Sequence, residues 1–155
     1  MIAVVQRVSE AAVRVDGEVV GQIGPGLLVL ASVHRDDTEA DLGWTANKLV
    51  GLRVFRNPDD PEKYFDIDVK QAGGSVLLVS NFTVAADVRG GRRPSFVAAA
   101  PPDVGRELFD RLIDAVRLTG VPVQTGRFGA DMKVSLVNDG PVTLLIDSRE
   151  SRKPT

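Results

Sequence analysis

Apolar residues in this chain come in short runs separated by turn residues, the rhythm of a strand-rich protein. Ile2–Val8 and Ala11–Val15 are rich in valine and predict strands. Asp16-Gly17 predicts a hairpin turn, with Glu18–Ile23 as the return strand. After Gly24-Pro25-Gly26, the unbroken run Leu27–Val33 predicts a central strand buried on both faces. The period then changes. Asp37-Thr38 offers a helix N-cap, Asp41 sits in the first turn, and Leu42, Ala46, Leu49 and Val50 fall on one stripe. Gly51 marks the end of that helix. Leu52–Phe55 predicts extended chain and Asn57–Glu62 a loop. Ser75–Phe82 predicts a further buried strand. Pro101-Pro102-Asp103 opens the strongest helix, with Val104, Leu108, Leu112, Ala115 and Val116 along one face and Gly120 as its stop. Val121–Thr125, Lys133–Val137 and Val142–Asp147 predict the remaining strands.

The segment Asn138–Thr143, "NDGPVT", stands between the last two runs. Asp-Gly in that setting predicts a tight hairpin turn. Pro141 follows at once, where the returning strand should start donating hydrogen bonds. Proline has no N–H to give.

These elements make one α/β domain over residues 1–148, followed by a polar tail over 149–155. It has two main helices and about seven or eight strands in largely antiparallel or mixed sheet layers. Two helices are too few to cover both faces of so large a sheet, so the free face calls for sheet packing or a partner subunit.

A chain of 155 residues suits one domain, and 43% hydrophobic with 26% charged residues suits a folded one. There is no cysteine, which excludes a disulfide framework and a thiolate zinc site. The N-terminus reaches Gln6 and Arg7 after few apolar residues and reads as no signal peptide. No apolar run approaches the roughly 18 residues of a membrane span. The expectation is a cytoplasmic protein without a membrane partner. The net charge of −2 is not the footprint of a nonspecific nucleic-acid binder, which would need a local patch. Arg89, Arg92 and Arg93 in the loop "RGGRRP" are the candidates for phosphate contact.

His34 is the only histidine, so a two-histidine metal site is excluded within one chain, and a Ser-His-Asp triad could be built only on it. It reads as a solvated loop residue. No phosphate-binding loop or dinucleotide fingerprint is present. The pairs Asp36/Asp37 and Asp66/Asp68 read as surface charge. The expectation is therefore no metal and no cofactor. An enzyme with so little side-chain base needs an activated substrate, for which orientation and an oxyanion hole suffice. An aminoacyl ester is one.

Several motifs, in order, resemble one family. "SNFT" (Ser80–Thr83) resembles the Ser-Gln-Phe-Thr motif of D-aminoacyl-tRNA deacylases, and "NDGPVT" matches their Asn-x-Gly-Pro-Val-Thr motif. "QRV" (Gln6–Val8), "GPGLLVL" (Gly24–Leu30), "GRRPSF" (Gly91–Phe96), "AAPP" (Ala99–Pro102) and "TGRFGADMKVSLV" (Thr125–Val137) fit the same pattern from Met1 to about Ser148. The resemblance implies hydrolysis of the ester between a D-amino acid and the 3′-terminal adenosine of tRNA, by a homodimer with a site at each side of its interface. It implies a cis Gly140-Pro141 peptide whose carbonyl oxygens read the substrate's α-amino group in the partner's site, and Arg7 as the brace of that turn. Ser80, Asn81 and Phe82 would face the ester carbonyl, with Thr83 beside the ester. Phe128 and Met132 would line the adenine pocket. Asn81 departs from the family glutamine, Ala85 stands where an aromatic is common, and Lys63–Gly74 departs from the usual pattern. The alternatives are a relative acting on a mischarged L-aminoacyl- or glycyl-tRNA, and a non-catalytic nucleic-acid-binding module.

Overall fold

Two predicted boundaries disappear in the folded chain. Ile2–Val8 and Ala11–Val15 are one strand, β1 (Ile2–Val15). Lys133–Val137 and Val142–Asp147 are the halves of another, which we call β6 (Lys133–Asp147). Between them in sequence come β2 (Glu18–Ile23), β3 (Gly26–Ser32), β4 (Ser75–Ser80) and β5 (Val123–Thr125). Among the described residues the sheet has six strands rather than seven or eight. The computed structural model describes residues 1–152, and positions 153–155 of the expected polar tail lie outside the described residues.

β1 is the spine. One of its edges pairs antiparallel with β6, from Ile2 opposite Asp147 to Arg14 opposite Lys133. Its other edge is shared by β3 along Ile2–Val8 and by β2 along Ala11–Val15, both antiparallel. The Asp16-Gly17 turn joins β1 to β2 as predicted, with both residues at positive φ (50° and 80°), which hairpin twist requires. β3–β4 and β4–β5 are parallel pairs. Their connections contain the two helices, α1 (Glu39–Gly51) and α2 (Pro102–Leu118). The predicted hairpin at Asn138–Thr143 is absent. The chain passes through this segment without reversing, because β1 is long enough to template both flanking runs.

Both helices pack on one face of the sheet. Leu42, Ala46 and Leu49 of α1 and Phe109, Leu112, Ile113 and Val116 of α2 meet Ala3, Val5, Leu27, Val29, Val76 and Leu78. Each large side chain so buried contributes about 1.5–3 kcal/mol. The buried stripe of α2 runs through Gly105, Phe109, Leu112, Ile113 and Val116. Val104, predicted at its head, is exposed. The stripe starts at Gly105 because that residue packs under the Phe128 ring. The opposite face carries a smaller cluster of Val8, Ala11, Val13, Leu28, Leu77 and Val79. β1 changes phase between the faces: Ala3 and Val5 point to the helices, whereas Val8, Ala11 and Val13 point away. The register irregularity between Val8 and Glu10 supplies the extra residue. The sheet curls until Gly21 of β2 meets the Thr125 carbonyl of β5, where an added Cβ would stand 2.2 Å from the oxygen.

Thr38 is the N-cap of α1, and its N–H donates to the Asp41 carboxylate at 2.8 Å. Asp37, read as surface charge, is buried and accepts from the Met1 ammonium. The same ammonium donates to Ser148 Oγ, which donates to Asp41 Oδ1 at 2.8 Å. The first residue is thus tied to the entrance of α1 and to the end of β6. Ser148–Arg152 forms a short 3₁₀ helix, in which Arg149 pairs with Asp147. Among the described residues no helix is long and apolar enough to cross a membrane.

Candidate active site

β4 stops at Ser80, and after Asn81 the chain tightens into a 3₁₀ helix over Phe82–Ala85. Asparagine is what makes the turn. Its backbone N–H donates to the Ala31 carbonyl at 2.8 Å, which ends the β3–β4 ladder. Its Oδ1 accepts from Thr83 N at 3.2 Å and from the Thr83 hydroxyl. A short side chain suits this local bond, two residues ahead, and a cap of this kind contributes about 1 kcal/mol. Phe82 is left more than half exposed, with its ring edge-on to Phe96 at 5.0 Å.

This strand end forms one wall of a cavity of about 810 Å³. The floor is the sheet face that the helices leave bare: Leu28, Leu30, Val79, Val134 and Leu136. Ser80, Asn81, Phe82 and Phe96 stand on one side, and Phe128 to Met132 with Ala99, Ala100 and Pro102 on the other. The structure therefore brings together five predicted site residues, Ser80, Asn81, Phe82, Phe128 and Met132. Arg106 of α2 lies over the Phe128 ring at 4.6 Å, which places a cation at that end of the cavity. Thr83 is exposed beside this group and does not line the cavity.

Arg7, Gly140 and Pro141 do not line it either. Arg7 follows Ala3 and Val5 in alternation and points to the helix-bearing face, away from the cavity floor. Gln6 pairs with Thr143 and Val8 with Asn138, so residues 139–142 stand opposite Arg7 alone. Asn138 closes this wide bulge. Its Oδ1 accepts from Val142 N at 2.7 Å, and its Nδ2 donates to the Val142 carbonyl, Thr143 Oγ1 and Gln6 Oε1. One side chain thus replaces the ladder for the bulged segment. Pro141 sits where no opposing strand residue needs an N–H, which explains a proline there. The Gly140-Pro141 peptide is cis, and both residues are exposed. Gly140 has φ +151°, and a Cβ there would stand 2.7 Å from Val142 N. Glycine is required.

Arg7 itself is 2% exposed. Its Nε donates to the Asp139 carbonyl (2.9 Å), Nη1 to the Val54 carbonyl (2.6 Å) and Nη2 to the Tyr64 hydroxyl (2.7 Å). Burying a guanidinium costs several kcal/mol. Three hydrogen bonds from a charged donor, about 1.5–3 kcal/mol each, offset that cost. The Arg56 and Arg7 guanidinium groups hold the Tyr64 phenol below the ordinary tyrosine range.

The remaining candidates are elsewhere. Arg89 is committed to Asp87 through two guanidinium nitrogens and its backbone N–H, and holds that carboxyl well below the usual carboxylate range. Arg92 and Arg93 are exposed in the same loop. The His34 ring faces Arg149 Nη1 at 2.9 Å rather than a hydroxyl. Burial, followed by the Arg149 charge, lowers its pKa. Sequence reasoning missed Tyr64, Asn138 as a clamp, and Leu28, Leu30 and Val79 as a floor. The floor residues lie in continuous apolar runs that do not reveal which face is left bare. Asn138 opens a segment whose Asp-Gly carries the turn signal, and nothing local marks it as a clamp. For Tyr64 the signal was an aromatic pair, Tyr64-Phe65, inside a polar loop.

The model of the family described as D-Tyr-tRNA(Tyr) deacylase matches residues 4–147. This chain belongs to that family. It is 54% identical to a D-aminoacyl-tRNA deacylase of Geobacter sulfurreducens over 155 residues, all of both chains. It is 54% identical to the enzyme of the same name in Desulfitobacterium hafniense, over 97% of this chain and 99% of that one. Among solved structures, the c-Myc DNA unwinding element binding protein is 35% identical, with a TM-score of 0.89 over 95% of this chain and 98% of that one. The α/β fold expected from the sequence is that of the family.

Replacing Asn138 by alanine leaves the Val142 N–H without its acceptor and opens the bulge. Asn138→Ala is expected to lower stability by about 1–3 kcal/mol. Urea unfolding should read this as a lower midpoint at an unchanged m-value.

Proposed function

We propose that this member of the deacylase family hydrolyses the ester of D-aminoacyl-tRNA, releasing the free D-amino acid and tRNA, and spares the L-form. The observation that carries the reading is the cavity. It joins the Ser80–Phe82 strand end to the Phe128–Met132 wall in a chain belonging to this family. Phe128 and Met132 take the 3′-terminal adenine, with its π-face on the ring. The ester then lies at Ser80, Asn81 and Phe82. The Asn81 and Thr83 N–H groups are bonded to Ala31 O and Asn81 Oδ1. The Phe82 N–H between them is engaged by neither, and it serves as the donor to the ester oxygen. Water attacks the carbonyl carbon, and the bond to the ribose oxygen breaks. The activated ester makes a strong protein base unnecessary.

Chirality is read by the Gly140 and Pro141 carbonyl groups, which bind the α-amino group. Backbone atoms have no rotamers, so the amino group is held in one place and the L side chain meets a wall. Within one chain this turn does not line the cavity, so it acts in the site of a second copy. The edge of β6 supports such a homodimer. Among the described residues this strand of 15 residues pairs only with β1, and it exposes Leu136, Val137, Leu144 and Leu145. Arg92 and Arg93 contact tRNA phosphates. Arg89 is held by Asp87 and must exchange that partner to do the same.

Deacylation of matched D- and L-tyrosyl-tRNA tests the function. The D-ester is expected to react faster by roughly two orders of magnitude or more, the discrimination that excluding one substituent can supply. Equal rates, or no turnover of either ester, reject the reading. In Thr83→Ala the activity should stay within about tenfold of wild type, since the Thr83 hydroxyl donates to Asn81 and faces no base. A loss of about 10⁴-fold would make Thr83 the nucleophile. Light scattering at micromolar concentration should give twice the chain mass of 16.6 kDa. A fully active monomer contradicts the shared site.

A further inference from the structure

We propose that Tyr64 is a positioning residue that acts through Arg7 to aim the Gly140-Pro141 turn. The inference rests on the assignment of that turn to the substrate's amino group. Arg7 touches the turn at Asp139, one residue before Gly140: its Nε–H donates to the Asp139 carbonyl at 2.9 Å, and the Asp139 carboxylate lies 3.6 Å from the same nitrogen. A guanidinium is a rigid plane, so the direction of Nε–H is set by whatever holds the other two nitrogens. Those holders are the Val54 carbonyl and the Tyr64 hydroxyl. The first is backbone. The second is the only one of the three acceptors that belongs to a side chain, so it is the one a substitution can change.

Tyr64 is itself held in place. Arg56 lies over its ring at 4.2 Å and Arg7 at 4.8 Å, and Phe65 meets it edge-on with centroids 4.7 Å apart. An aromatic ring fixed on several sides presents its hydroxyl in one direction. Losing the hydroxyl leaves Nη2 without an acceptor and frees the guanidinium plane to tilt. The Asp139 carbonyl follows, because four residues stand there opposite one and no ladder bond of β1 holds them. The segment Lys63–Gly74, which departs from the family pattern, thus reaches the chirality-reading turn through one hydrogen bond.

Tyr64→Phe keeps the ring and its stacking and removes only the hydroxyl. The ratio of D- to L-tyrosyl-tRNA kcat/KM is expected to fall about tenfold, the effect of roughly one hydrogen bond to a charged group. In an Arg7→Lys background the same change should have no further effect, since Tyr64 acts through the guanidinium. A readout independent of catalysis is exchange of the buried Arg7 Nε–H, identified by its loss in Arg7→Lys. It should become about tenfold faster in Tyr64→Phe. Tyr64 is the chain's only tyrosine, so ultraviolet titration of the intact protein reads its hydroxyl without interference. In Arg56→Gln its midpoint should remain below the ordinary value of about 10, held there by Arg7 alone. An unchanged ratio with unchanged exchange in Tyr64→Phe overturns the proposal. So does a midpoint of about 10 in Arg56→Gln, which decides the matter even where Tyr64→Phe folds poorly. A wild-type protein inactive on the D-ester rejects the functional reading instead. The exchange and titration results then still decide whether Tyr64 orients Arg7.

Discussion

The β1–β6 ladder carries four residues, 139–142, opposite one, and Arg7 is that one. A wide bulge in the middle of two long strands leaves carbonyl groups without ladder partners. It persists because something fills the gap and bonds to what is exposed. Arg7 does this from below, with a buried guanidinium whose three nitrogens reach Asp139, Val54 and Tyr64. Asn138 does it from within the bulge, with an amide that takes both the N–H and the carbonyl of Val142. Between these two clamps Gly140 and Pro141 are exposed yet held at both ends. A mobile loop could also present carbonyl groups to solvent. It could not hold them at a fixed angle.

The same sheet supports the cavity on its other face. Both helices pack on the Arg7 side, which leaves the face of Leu28, Leu30, Val79, Val134 and Leu136 to line the cavity. Side chains alternate along a strand, so one sheet can carry the bulge and its braces on one face and the cavity on the other. The turn and the cavity are built on shared strands but do not meet within one chain. In the homodimer proposed above, the exposed turn of each copy would complete the cavity of the other. The Asn81 cap fits the same scheme. Its amide oxygen is bound to Thr83, so the short side chain shapes the strand end.

Much of the fold was legible along the chain. Local patterns decide local structure: the Asp16-Gly17 hairpin, the Thr38 cap, the proline start and glycine stop of α2, and the buried runs of β3 and β4 all follow from chemistry within a few residues. The ordered motifs pointed to the family for the same reason, since Ser80–Thr83 and Asn138–Thr143 are short and contiguous. What the tertiary structure decided involves distant partners. Asp139-Gly140 has the local chemistry of a turn, yet β1, more than a hundred residues away in sequence, offers a template long enough to keep β6 running through it. Asp37 has the composition of surface charge, yet the Met1 ammonium meets it in the interior. Tyr64 lies in a polar loop with no periodic signal, and only the packing of that loop beneath β1 sets its hydroxyl against Arg7. Local sequence encodes which backbone shapes are cheap. The choice among them is made by long-range pairing and burial, whose free energy exists only once the chain has folded.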